Sequence, residues 1–325
     1  MFHEIIRAAL ALVAITSAFA PATVFAQAYP SKPIRLILPF PPGGPTDIVG
    51  RLTGQKLGEL VGQQVIADSR PGASGNVGLE LASKAPPDGY TIALSSPVIS
   101  LSHHLYGKLN YDPQKDLAPI ALIGALRNVL VVHPSVPAKT LKELVAVARK
   151  SPGKLNYGSG GVGTTTHLAP ELLKSLEKLD IVHVPYKGSG LALIGLASGQ
   201  VDLEILAVPA AMSQIQAGRV RPIAVLAPSR SAQLPDVPTA KEAGYPNFEI
   251  SVWYGMLAPA ATSPEIIKRL NAELNKAIST PDLKEKFAAN GIEPLGGAPE
   301  QFRDYIRSES DRFGKVIKDA DIKGE

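Results

Sequence analysis

Two short stretches of this chain carry residue types suited to holding an acid group. The first is Pro39-Phe40-Pro41-Pro42-Gly43-Gly44-Pro45-Thr46-Asp47, between the apolar run Ile34-Arg35-Leu36-Ile37-Leu38 and a segment whose apolar residues recur at helical spacing. Prolines fix the turn, and two glycines permit positive φ and close backbone approach. Pro45, Thr46 and Asp47 suit a first helical turn, whose N–H groups have no partner inside the helix and which therefore attracts anions. The second is Gly158-Ser159-Gly160-Gly161-Val162-Gly163-Thr164-Thr165-Thr166-His167, again a strand, a glycine turn and a helix start. Two such loops facing one another across a cleft can each grip one end of a small molecule with two acidic groups. The competing structural reading is that Thr164 to Thr166 only cap a helix.

Other chemistries find little support. Gly158, Gly160 and Gly163 spell a literal G-x-G-x-x-G, but a dinucleotide site wants an acid at the end of the next strand, which here ends in Pro185-Tyr186-Lys187. Without cysteine there is neither thiolate chemistry nor a disulfide framework. His103 and His104 are adjacent, so a regular element should not turn both to one metal site. No G-x-S-x-G occurs, and Asp88, Asp112 and Asp202 show no pairing for acid–base work. No enzyme activity, cofactor or metal is therefore expected. Asp47 would repel a ligand carboxylate, so its expected task is to set the loop backbone or position water. His167 is expected to partner local backbone. Trp253 and Tyr254 line a cleft or fill a core with equal weight.

The elements around these loops alternate. Helical spacing over residues 47–60, a strand at 64–68, a helix at 76–83 and a strand at 90–94 ending in Ser95-Ser96 make βαβαβ, the start of a parallel doubly wound sheet. Ligands in such sheets bind beyond the carboxyl ends of the strands, the edge that holds the first loop and Ser95. Two apolar runs, 117–126 and 128–132, read as separate strands. Thr140 with Glu143 forms a capping box for a helix over 141–150. A second alternating half follows to residue 226, then a strand at 253–259 and three terminal helices, opened at Ser263-Pro264, Pro281 and Pro299, which are expected to pack back on the first half.

Arg7, an apolar run over 8–20 and Val24-Phe25-Ala26 read as a cleavable secretory signal, residues 1–26. The net charge of +4 is spread along the chain without a basic run, which argues against nucleic acid as a partner.

At these loops the chain resembles the Bug/TctC family, the extracytoplasmic substrate-binding proteins of tripartite tricarboxylate transporters. The resemblance rests on residues 29–47, on Arg70-Pro71-Gly72-Ala73-Ser74-Gly75-Asn76, on Ala85-Pro86-Pro87-Asp88-Gly89-Tyr90, and on Asn156-Tyr157-Gly158-Ser159. It continues through His183-Val184-Pro185-Tyr186-Lys187-Gly188, Gly199-Gln200-Val201-Asp202 and Trp253-Tyr254-Gly255. It implies an α/β fold of the two-domain periplasmic-binding-protein (Venus flytrap) type with the ligand cleft between the lobes. The expected first domain is 27–125 with 228–325, and the second is 126–227. It also implies a periplasmic, monomeric, non-enzymatic protein that captures a small carboxylate and delivers it to membrane permease subunits. A sensor of the same fold signalling to a membrane kinase is the alternative, and a hydrolase a distant third. The ligand-binding residues so assigned are Phe40, Pro42, Gly43, Gly44, Thr46, Asp47, Ser95, Ser159, Gly163, Thr164, Thr165 and Tyr254. The chain departs from its relatives after Leu203, where many continue Met-Phe-Asp-Asn. Here Glu204-Ile205-Leu206-Ala207 stands instead, so Leu206 and Ala207 replace a polar pair. An aliphatic or aromatic mono- or dicarboxylate without an amino group is the ligand this implies.

Overall fold

The computed structural model describes residues 29–323. The signal segment expected at 1–26 lies outside the described residues. Among those described, no helix is long and apolar enough to cross a membrane.

The first loop emerges from strand β1 (Ile34–Leu38), which is flanked in parallel by β2 (Val65–Ser69) and β3 (Thr91–Ser95). Helix α1 (Pro45–Val61) makes the first crossover and ends at Gly62, in the left-handed region. Helix α2 (Asn76–Ser83) makes the second, and α3 (Val98–Leu105) leaves β3. Helix α3 is absent from the sequence reading, because eight residues opening at Pro97 give too short a period to recognise.

The two apolar runs read as separate strands are one 16-residue strand, β4 (Leu117–Val132). Arg127 interrupts the apolar pattern without interrupting the strand. The first part of β4 pairs antiparallel with β9 (Ser251–Pro259), over Leu117–Arg127. Its last part, Asn128–Val132, pairs with β7 (Leu203–Ala207). One strand thus carries the chain from one ladder to the next, and the boundary expected near residue 125 falls inside it.

The second half repeats the plan. Helix α4 (Leu141–Lys150) begins at the expected capping box, with Thr140 and Glu143 each holding the other's backbone N–H. Strands β5 (Asn156–Ser159) and β6 (Val182–Pro185) pair in parallel, and β5 also pairs in parallel with β7. Helices α5 (Thr165–Glu177), α6 (Ser189–Ala197) and α7 (Val208–Gln216) connect them, and β8 (Arg221–Val225) pairs with β4. The strand path is β2-β1-β3-β9-β4-β7-β5-β6. The parallel edges are as read from the sequence, and the centre is antiparallel.

Helices α8 (Pro264–Ser279) and α9 (Pro281–Ala289), strand β10 (Ile292–Pro294) and helix α10 (Pro299–Asp319) close the chain. The Ser263 hydroxyl accepts the Ile266 N–H, the N-cap expected there. Helix α10 does not confine itself to the first half. Its Phe302 and Ile306 pack with Ile37, Ala93 and Trp253, whereas Phe313, Val316 and Ile317 pack with Tyr157, Leu168 and Leu203. Residues from Lys32 onward accordingly cluster as one unit. Trp253 is fully buried against Phe302, edge to face at 5.5 Å, so it is core.

Candidate functional site

The first loop is built from its floor upward. Gly44 is the N-cap of α1 in extended conformation, and no side chain caps the helix. Pro45 has no N–H to satisfy, and the N–H groups of Thr46 and Asp47 point out of the first turn with no partner inside a helix. Asp47 is buried and bonded on both sides: Oδ2 accepts the Gly43 N–H at 3.1 Å, and Oδ1 accepts Arg51 Nε at 2.7 Å. Its carboxylate is thereby committed to the loop. Pro42 and Gly43 are exposed at the tip, with Gly43 at φ +84°. The Phe40 ring lies over Gly75, where a Cβ would come within 3.2 Å of it.

Sheet pairing brings two further assigned residues together. Ser95 at the end of β3 pairs with Gly255 of β9, which places Tyr254 alongside. Tyr254 is buried, and burial raises its phenol pKa while a hydrogen bond with Thr46 pulls the other way. The Ser95 hydroxyl is also buried and donates to the Ser96 carbonyl. Thr46 and Tyr254 thus bond one another below the loop, whose exposed tip at Pro42-Gly43 offers backbone.

The second loop is a web of short bonds. Thr164 is the N-cap of α5, yet its side chain caps nothing in that helix. Its hydroxyl donates to the Gly161 carbonyl at 2.7 Å, and Thr166 Oγ1 accepts the Gly160 N–H at 2.8 Å. The side-chain capping alternative is therefore not what the structure adopts. Thr165 is half-exposed; the His167 N–H already donates to the Thr164 carbonyl at 3.0 Å, which leaves Thr165 and Thr166 as the first-turn N–H donors of α5 without a partner inside the helix. Ser159 sits deeper than the threonines. Its side chain is fully buried and turned into the protein, 2.6 Å from His183 Nε2, and it accepts the Gly161 N–H at 3.1 Å. The side chain shares the face of β5 that carries Tyr157, so its hydroxyl shapes the loop instead of standing free for a ligand. Gly163, at φ +75°, donates its N–H to His167 Nδ1 at 3.0 Å, the local backbone partner expected for that histidine.

Three features escaped the sequence reading. The turn after β6 docks on this loop through Tyr186 N–H to the Ser159 carbonyl at 2.9 Å and Gly188 N–H to the Gly160 carbonyl at 3.2 Å. A Cβ on Gly160 would meet Ser189 N at 2.8 Å, so only glycine fits there. This brings exposed Lys187 and the uncapped start of α6 beside the loop. Helix α3 starts just after Ser95-Ser96 and ends with Leu105 against Gly163, where a Cβ would lie 3.1 Å from the leucine. At ~1.5 Å per residue the eight residues of α3 make a helix roughly 12 Å long between Ser95-Ser96 and the second loop. His183 is the third, since only the register of β5 with β6 reveals that it stands opposite Tyr157.

Two expectations change. His103 and His104 both reach Ser310 Oγ, at 3.2 and 3.0 Å, because they sit in the last turn of α3, where long side chains converge on one hydroxyl of α10. Among the described residues no cluster has the make-up of a metal site. Leu206 is buried with Val129, Val131 and Leu196, so it is core and lends no apolar wall to a cleft; Ala207, at the start of α7, is half-exposed.

The fold is the α/β periplasmic-binding-protein architecture, and its site elements are backbone-rich helix starts suited to anions. The chain belongs to the TctC family, the tripartite tricarboxylate transporter family receptors, whose model matches residues 49–322. A Pseudomonas sp. (strain P51) protein from the tcbD-tcbE intergenic region is 41% identical over 292 residues, covering 90% of this chain and 87% of its own. Among solved structures, an R. palustris protein with adipate superposes with a TM-score of 0.77 at 36% identity, over 91% of this chain and 99% of the other. MatC of Rhodopseudomonas palustris with bound malate gives 0.74 at 30% identity, over 89% and 100%. The family is one of receptors.

Proposed function

We propose that this protein is a periplasmic solute-binding protein that captures a small organic acid between two lobes and delivers it to a membrane permease of the tripartite tricarboxylate type. The lobes are 27–125 with 228–325, and 126–227, and residues 1–26 direct export. The observation that carries the reading is a pair of uncapped helix starts, α1 behind Gly43-Gly44 and α5 behind Gly163-Thr164, with α3 running between Ser95-Ser96 and the second loop. Each offers outward N–H donors and the positive end of a helix dipole to one carboxylate. Lys187 adds a cation at the second end. Both loops belong to one chain, so a monomer carries the complete site. Ligand bridging the two loops favours the closed arrangement, and a permease that binds only that arrangement senses loading. The relatives with adipate and malate support a dicarboxylate; neither of those ligands carries an amino group.

The test is a thermal-shift series with adipate, malate and shorter and longer dicarboxylates, set against aspartate and glutamate. A ligand of the native state raises the melting temperature in a concentration-dependent way. Stabilisation by the amino acids alone overturns the amine-free assignment, and no shift with any acid overturns the carboxylate reading.

A further inference from the structure

Behind the second loop lies a cluster that ligand contact alone does not explain. The rings of His167 and His183 stack face to face, 3.9 Å apart and 9° from parallel, and His183 also stacks on Tyr157 at 4.8 Å. Each ring holds one loop residue: His183 Nε2 the Ser159 hydroxyl, His167 Nδ1 the Gly163 N–H. A main-chain N–H can only donate, so His167 Nδ1 is unprotonated and the ring carries its proton on Nε2.

We propose that His167 and His183 are positioning residues of the second loop, fixing Ser159 and Gly163 in the ligand-ready turn only while both imidazoles are neutral. A proton on Nδ1 of His167 would set two donors face to face and release Gly163. With His183 neutral the Ser159 hydroxyl has two acceptors within reach, His183 Nε2 at 2.6 Å and the Gly161 carbonyl at 3.3 Å; a proton on both ring nitrogens makes Nε2 a donor and leaves Ser159 only the carbonyl, which changes the turn's bonding. Two stacked imidazolium rings would also repel. The surroundings fit a neutral pair. Burial pushes His167 down to about 3, with His183 and Lys174 adding to it. His183 is also lowered, by burial first, with Glu171 opposing and Lys174 assisting. The charged groups around the pair are Glu171 and Lys174 of α5, which bond each other at 2.6 Å, and Asp319, Asp321 and Lys323 at the end of α10. All line one cavity of about 700 Å³ with the two histidines. Tyr157 donates to Glu171 at 2.6 Å and closes the cluster from β5.

The proposal rests on the carboxylate reading only for its ligand arm, so the experiment has two arms on the mature protein. In the first, without ligand, amide spectra follow Gly161 and Gly163 from about pH 8 to about pH 4 while the histidine ring carbons report protonation. In wild type these amides should move together with the His183 ring, and in His183→Gln, whose amide cannot titrate, they should stay still. Loop amides indifferent to ring protonation overturn the proposal. In the second, adipate is the probe. His167→Asn retains an oxygen to accept the Gly163 N–H and should bind within about twofold of wild type, whereas His167→Leu should lose about tenfold. Equal affinity in both overturns the assignment for His167. Absence of adipate binding in wild type counts against the carboxylate reading, and the amide arm then decides the histidines alone.

Discussion

The carboxylate of Asp47 accepts the Gly43 N–H at 3.1 Å across the first turn of α1, so the acid that would repel a ligand carboxylate is the internal brace of the first loop. Asp47→Ala should weaken binding of a carboxylate by about 1–2 kcal/mol, the value of a charge-assisted bond to backbone. Asp47→Asn keeps an acceptor and should cost less. Global stability should hardly move in either, because the partner Arg51 is half exposed and such pairs contribute little. Calorimetric titration beside thermal melts separates the two effects.

The adjacent threonines of the second loop should behave differently. Thr164→Val removes the bond to the Gly161 carbonyl and should lower both stability and affinity. Thr165→Val removes the hydroxyl of a half-exposed residue, so it should cost about 1 kcal/mol of affinity at unchanged melting temperature. The reverse pattern would place the ligand on Thr164.

Gly160→Ala drives a Cβ to 2.8 Å from Ser189 N, a main-chain atom that cannot swing aside. The turn after β6 must move off the loop. A loss of about 1–3 kcal/mol in urea unfolding is expected, together with weakened binding.

Glu204 stands fully buried on β7 between Val131 and Gly158 in register, with no partner for either carboxylate oxygen. Burial lifts its pKa from 4.5 to about 9. The folded state therefore keeps a proton that the unfolded chain releases above about 4.5. Its contribution is most favourable below the unfolded value and is lost progressively as pH rises toward 9. Glu204→Met, an apolar side chain of similar length, should match or exceed wild type in acid and gain about 3 kcal/mol on it by pH 7. Denaturant titrations at several pH values check both the sign and the slope. A gap that narrows with rising pH would mean the carboxylate finds a partner when ionised.

Much of the frame is legible from local signals. Thr140 with Glu143 and Ser263 with Pro264 mark helix starts because capping acts within four residues, and both glycine loops announce themselves through φ requirements. What stayed hidden depends on strand pairing. The continuity of β4 through Arg127 needs β9 and β7 beside it. The inward turn of Ser159 and the approach of His183 follow from the β5–β6 register, and the burial of Leu206 follows from what covers that face. One-dimensional periodicity holds none of these. For the same reason the local bonding of the hydroxyls of Ser159, Thr164 and Thr166 within and beneath their loop is invisible in the sequence, which shows only that they stand beside glycines at a helix start.

Helix α10 seeds two hydrophobic cores, Phe302 in one and Phe313 in the other. At ~1.5 Å per residue its 21 residues make a rod of roughly 30 Å, shared by both halves of the fold. Heat that melts either half must strip the same rod from the other. The protein should therefore give a single calorimetric transition with equal van't Hoff and calorimetric enthalpies, despite its size and two-lobed plan. Phe313→Ala should lower that one transition without splitting it, which makes the C-terminal helix the element that turns two lobes into one cooperative folding unit.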